Sequence, residues 1–156
     1  MAERAITVTK NFNLNKITLD LHKELNLAGG MVIKDIVKKN QSGLDINGKA
    51  IKPLSPNTIA AKSGSNPSRA LYDTGLMIGR GSVKGVGGRG PYLSKKADKT
   101  NQETIISVAK DRESIGVYHN EGMGLPKREW FGISKSAIKD IMRMIELRIE
   151  DRIRRA

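Results

Sequence analysis

Segment 134–155 constrains the chain most. Ala137, Ile138, Ile141, Met142, Ile145, Ile149 and Ile153 recur at spacings of three and four, the period of one face of an α-helix and unsuited to a strand. Met144 and Leu147 flank this stripe and widen it. Ser134 stands where a helix N-cap accepts a backbone N–H, and the closing RIRRA puts cations at the negative end of the helix dipole. A stripe of this kind has to be covered, by the chain's own core or by a neighbouring subunit.

A second helix is expected over 14–39. Leu14, Ile17, Leu21, Leu25, Ala28, Val32 and Ile36 mark its apolar face, Asn13 is the expected N-cap, and KKNQSG supplies terminal cations and a stop at Gly43. The pair Gly29-Gly30 predicts a kink in its middle, because each glycine weakens a helix by about 1 kcal/mol. Residues 43–73 read as a long loop. Asn47-Gly48 marks a tight turn, Pro53, Pro56 and Pro67 forbid a continuous helix or a central strand, and Ser55-Pro56 opens a short helical turn. Strands are predicted near 76–84, 104–109 and 114–118, the clearest being TIISVA with its β-branched run. Residues 85–101 form a basic, glycine-rich loop that reads as a mobile hairpin tip or arm. The expected fold class is α+β: a small antiparallel sheet packed against an N-terminal and a C-terminal helix, with long loops, in one domain over 1–156.

The chain of 156 residues is 38% apolar and only 4% aromatic, so its own core is modest and part of the burial is expected from neighbouring copies. Cysteine is absent, which excludes disulfides, thiolate nucleophiles and cysteine-based zinc sites. The start MAERAITVTK has no apolar stretch of a secretory signal. No run approaches the roughly 18 apolar residues of a membrane span. No membrane partner is expected, and folding is expected in a cytoplasm-like compartment. The net charge of +12 favours acidic partners, whether nucleic acid, anionic lipid or an acidic protein surface, without choosing among them.

Candidate chemistry is thin. Gly85, Gly87 and Gly90 satisfy G-x-G-x-x-G, but Pro91 and a lysine-rich stretch follow where a pyrophosphate-binding helix would have to start. His119 and Glu121, beside Tyr118, have the types of an acid–base pair, yet no nucleophile or metal set accompanies them. The other histidine, His22, has no evident partner. No catalytic residue, cofactor or metal is therefore expected, and His119 reads as fixing a turn through hydrogen bonds. Lys84, Arg89, Lys95, Lys96 and Lys99 offer several phosphate contacts. Tyr92 is the one aromatic among them, too few for a single-strand stacking platform. Non-specific DNA contact and a small basic DNA-binding accessory protein remain the alternative reading.

Three stretches, KPLSPNTIAAK, RALYDTGLMIGRGSV and HNEGMGLPKREWFGIS, together resemble the phage virion morphogenesis proteins of the Mu type, which act in tail completion. The matching positions are Pro53, Leu54, Ser55, Thr58 and Lys62, then Leu71, Thr74, Gly75 and Leu76. The last set is His119, Gly122, Pro126, Arg128, Trp130, Phe131 and Gly132. Ile115 and Glu129 stand where the family often has a tyrosine and a proline, and Trp130 replaces its usual phenylalanine. The resemblance implies a structural virion protein at the head–tail neck or the head-proximal tail end. It would complete the tail and enable head–tail joining without turnover, after assembly in the host cytoplasm. The implied partners are further copies in a ring, commonly six-fold, together with the tail tube protein and the head–tail connector. Lys84, Arg89, Lys95, Lys96 and Arg128 are the candidate partner-contacting residues. His119, Gly122, Pro126, Trp130 and Phe131 form a structural corner, expected to join the last strand to the last helix, with Arg128 left free to pair with a carboxylate.

Overall fold

A computed structural model describes residues 20–62, 67–71, 92–108 and 113–155. The described residues are mostly helical. In chain order they form α1 (His22–Gln41), α2 (Pro56–Ala60), β1 (Tyr92–Lys95), β2 (Ile105–Ser107), α3 (Glu113–Glu121) and α4 (Lys135–Arg155). No helix among them is long and apolar enough to cross a membrane.

The centre of the molecule is α1. Ala28, Val32, Ile33, Ile36 and Val37 are buried along it, a wider band than an amphipathic surface helix requires. The helix runs unbroken through Gly29 and Gly30 to Gln41, since tertiary packing supplies more of a helix's stability than propensity does. Gly43, at φ 71°, ends it in the left-handed conformation. At its other end α1 starts only at His22, with Leu21 as the N-cap, so the expected run of helix from residue 14 is not continuous through Asp20 and Leu21; the expected cap at Asn13 and the stretch 14–19 lie outside the described residues.

Helix α4 lies antiparallel on α1, tied at both ends. Near its start, Ser134 accepts a hydrogen bond from Ala137 N (3.0 Å) as the capping residue and donates to Asp35 Oδ2 (2.6 Å). The same Asp35 pairs with Lys39 (2.6 Å), which also donates to Ser136 Oγ (3.2 Å). At the far end Arg152 pairs with the buried Glu24 (2.7 Å) and donates to the carbonyl of Asp20.

The expected sheet is reduced to a ribbon. Strands β1 and β2 pair antiparallel, Tyr92 opposite Ser107 and Leu93 opposite Ile106, with an irregularity between Leu93 and Lys95. The ribbon rests on α1, whereas α4 packs on α1 and not on the strands. The two helices therefore do not share one face of a sheet. Asn26 of α1 fastens the ribbon, donating to Ala97 O and accepting from Ala97 N, both at 2.9 Å. Within the stretch read as a mobile hairpin tip or arm, residues 92–95 are instead strand β1 and Ala97 is fastened to α1, while Lys96 and residues 98–100 are exposed at the turn toward β2; 85–91 lie outside the described residues, as does the predicted strand 76–84.

The strand expected over 114–118 is helical, part of α3. Ile115, Val117 and Tyr118, whose β-propensity suggested a strand, are exposed, so no sheet face rewards them with burial. Gly116 is the buried residue of α3; a Cβ there would lie 3.1 Å from the Trp130 ring. Close packing of the indole on a glycine decides this segment, and propensity yields to it.

Within the loop 43–73, Leu44 and Ala50 form a bridge closed by the Asn47-Gly48 turn, where Asp45 accepts from the N–H groups of Asn47 and Lys49. Ser55 caps α2, accepting from Thr58 N (3.2 Å).

Candidate functional site

The corner between α3 and α4 gathers most of the residues singled out in the sequence. It joins a helix, not a strand, to the last helix. Helix α3 ends at Gly122, whose N–H donates to Tyr118 O (2.9 Å) at φ 78°. That conformation is natural to glycine alone, and a Cβ there would come within 2.9 Å of Lys127 Cβ. The chain then loops through the exposed Pro126 and returns, Arg128 N donating to His119 O (2.7 Å).

Arg128 is 4% exposed and has no carboxylate partner among the described residues. Its guanidinium spans two chain segments instead. Nε donates to Lys52 O (3.0 Å), one terminal nitrogen to Pro53 O (3.0 Å), and the other to Pro126 O (3.3 Å). The planar fork of arginine suits such divided work. The expectation of an arginine free to pair with a carboxylate or a partner is thereby corrected: its donors are consumed inside the fold. The same second nitrogen faces His119 Nδ1 at 3.4 Å. Burial, then the charges of Arg128 and Lys62, push the imidazole below its ordinary pKa, which favours the neutral ring that an arginine neighbour requires.

Trp130, 1% exposed, is the most buried side chain of the corner. Its Nε1 donates to Gly116 O (3.2 Å), its own carbonyl accepts from Asn40 Nδ2 (3.0 Å), and its ring meets Phe131 at 5.5 Å. Leu71 packs with it, and Ile51, Val108 and Phe131 close around the pair. Phe131 N donates to Asn120 Oδ1 (3.2 Å), and Ile46 N to Glu129 O (2.7 Å). Lys52 and Pro53, Leu71, and His119–Gly132, far apart in sequence, thus converge on one packed unit.

Acid–base chemistry finds no assembly here. His119 faces Arg128, while Glu121 is exposed and touches Asn120. His22, read as partnerless, pairs with Asp20. No group of three metal-ligating side chains occurs among the described residues. An open cleft of about 240 Å³ between β2 and α3, walled by Ile106, Val108, Val117 and Trp130, is mostly apolar, with Ser107, Glu113, Asn120 and Glu121 as its polar residues.

The basic residues do not gather at this corner. Lys95 pairs with Glu103 at 3.3 Å, and Lys96 and Lys99 stand exposed beyond β1. Lys84 and Arg89 lie outside the described residues. Sequence reasoning missed Asn40, which read only as part of a helix stop, and Gly116, hidden inside an expected strand. Buried glycine and asparagine have no periodic signature, so neither was visible without the tertiary contacts.

Searches against protein-family models, curated proteins and solved structures return no match for this chain.

Proposed function

We propose that this protein is a structural component of a phage-like particle, acting at the head–tail neck or the head-proximal end of the tail. It completes the tail, enables head joining and catalyses nothing. The observation that carries this reading is the corner. Of the residues behind the resemblance to the Mu-type tail completion family, Pro53, Leu71, His119, Gly122, Pro126, Arg128, Trp130 and Phe131 meet in one unit, and the donors of Arg128 are spent mainly on backbone carbonyls. Arg128, the best-placed cation of that unit, holds Lys52, Pro53 and Pro126 in register. Such a site offers rigidity and leaves no group poised for turnover.

Assembly with other copies fits the distribution of apolar surface. Ile138, Met142 and Ile153 of the α4 stripe are each at least 40% exposed, more than a solitary helix stripe needs to leave uncovered. The ring itself, six-fold in the family the chain resembles and closed by heterologous contacts outside this stripe, would present the basic surface to acidic faces of the tail tube and the head connector.

Negative-stain electron microscopy of the purified protein, and immunogold labelling of particles, test the proposal. Rings in the first and label at the neck or tail end in the second are expected. A monomer in solution combined with no label on mature particles would overturn it. The alternative, a small DNA-binding accessory protein, rests on the net charge of +12. It would be favoured by sub-micromolar DNA affinity falling steeply with salt.

A further inference from the structure

We infer that α4 is a self-recognition element, and that its exposed stripe pairs antiparallel with α4 of a second copy about a two-fold axis near Met142. The inference rests on charge placement as well as on the apolar face. Ile138, Met142 and Ile153 are 49%, 53% and 40% exposed, with Ile149 half-buried between them on the same side of the helix. Along one edge of that stripe stand Lys135 and Lys139, then Glu146 and Glu150, all exposed.

Within one helix this arrangement is unfavourable twice over. Lys135 and Lys139 are four residues apart, as are Glu146 and Glu150, so each pair sets like charges one turn from each other. The first turn of α4 carries lysine and no acidic residue, the wrong sign for the positive end of the helix dipole. None of the four has an ion-pair partner among the described residues.

A second, antiparallel copy answers both defects. With the axis between Met142 and Arg143, Met142 lies within one residue of level with its own counterpart, and Ile138 lies two residues from level with Ile149 of the other copy, each close enough for side-chain contact. The same register sets Lys135 against Glu150 and Lys139 against Glu146, in both directions, as a self-complementary interface demands. Opposed helices also align their dipoles head to tail. Flanking charges of this pattern choose orientation and register, while the apolar seam supplies the attraction. The opposite edge of the stripe is already occupied by α1, so the pairing adds a layer to the α1–α4 pair without disturbing it.

The absence of cysteine makes the test direct. In the full chain, Met142→Cys is expected to give a covalent dimer on mild oxidation. Leu147→Cys, 57% exposed on a different side of the helix, is expected to stay single. Equal cross-linking of both, or none at Met142→Cys, would overturn the inference. Sedimentation of charge variants then reads the register. Lys139→Glu and Glu146→Lys should each weaken association by about tenfold or more, and the double variant should restore it. Failure of that rescue would also overturn the pairing. Trp130 fluorescence confirms that each variant keeps its fold. The seam is isologous and stands apart from the virion proposal: micrographs without rings leave the cross-linking result unaffected.

Discussion

Replacing Arg128 distinguishes a forked backbone clamp from a simple buried charge. In Arg128→Ala the carbonyls of Lys52, Pro53 and Pro126 lose donors at 3.0, 3.0 and 3.3 Å. A hydrogen bond from a charged donor contributes about 1.5–3 kcal/mol net, and the third, longer one contributes less. Two effects reduce the sum. Lys52, Pro53 and Pro126 belong to exposed residues whose carbonyls regain water, and the guanidinium's own desolvation cost disappears with it. The expected loss is about 3 kcal/mol, or about 6–12 °C in midpoint temperature for a domain of this length. Arg128→Lys keeps the charge but cannot reach both segments from one nitrogen, so about half of the loss should persist. The assay is urea unfolding followed by the fluorescence of Trp130, the sole tryptophan and 1% exposed. A change below about 0.5 kcal/mol in Arg128→Ala, the ordinary range of a surface substitution, would refute the clamp. Full stability in Arg128→Lys would show that charge alone matters.

His119 should make stability pH-dependent. Its folded pKa lies below the ordinary value of about 6.5, through burial and then through Arg128 and Lys62. Between those two values the unfolded chain binds the extra proton, so this contribution is whole above about pH 6.5 and declines as pH falls toward the lowered value. His119→Gln should flatten that part of the unfolding profile; an unchanged slope would count against the assignment. Gly122→Ala is expected to cost about 1–2 kcal/mol, from a left-handed backbone and a Cβ 2.9 Å from Lys127, measured by the same unfolding curve. Ser134→Ala should cost about 1–2 kcal/mol, since it removes the α4 cap and leaves Asp35 one donor short. A neutral result there would mean that the α1–α4 junction does not depend on this hydroxyl.

Helix α4, and the body and stop of α1 though not its start at His22, were legible in the primary structure because helical periodicity and capping are local. The 3.6-residue spacing of Ile138, Ile141, Ile145 and Ile149, the Ser134 cap, the Asn47-Gly48 turn and the Ser55-Pro56 helix start each depend on residues within a turn or two of each other. The corner residues Gly122, Trp130 and Phe131 were legible as architecture for the same reason: glycine freedom and large aromatics announce a turn and an anchor.

Long-range contacts decided the rest. Ser114–Tyr118 has the composition of a strand, and became helix because Gly116 provides the gap into which the Trp130 ring fits. Arg128 has the look of a surface cation, and became a clamp because Lys52 and Pro53 arrive from a loop 75 residues away to meet Arg128 Nη2 at Pro53 O. Asn26 and Asn40 look like helix-surface polar residues, yet their amides hold Ala97 and Trp130 in place. What a chain reveals by itself is the set of conformations each short segment prefers. Which segment is satisfied, and which is overruled, depends on buried partners that lie far along the chain and are brought together only by the fold.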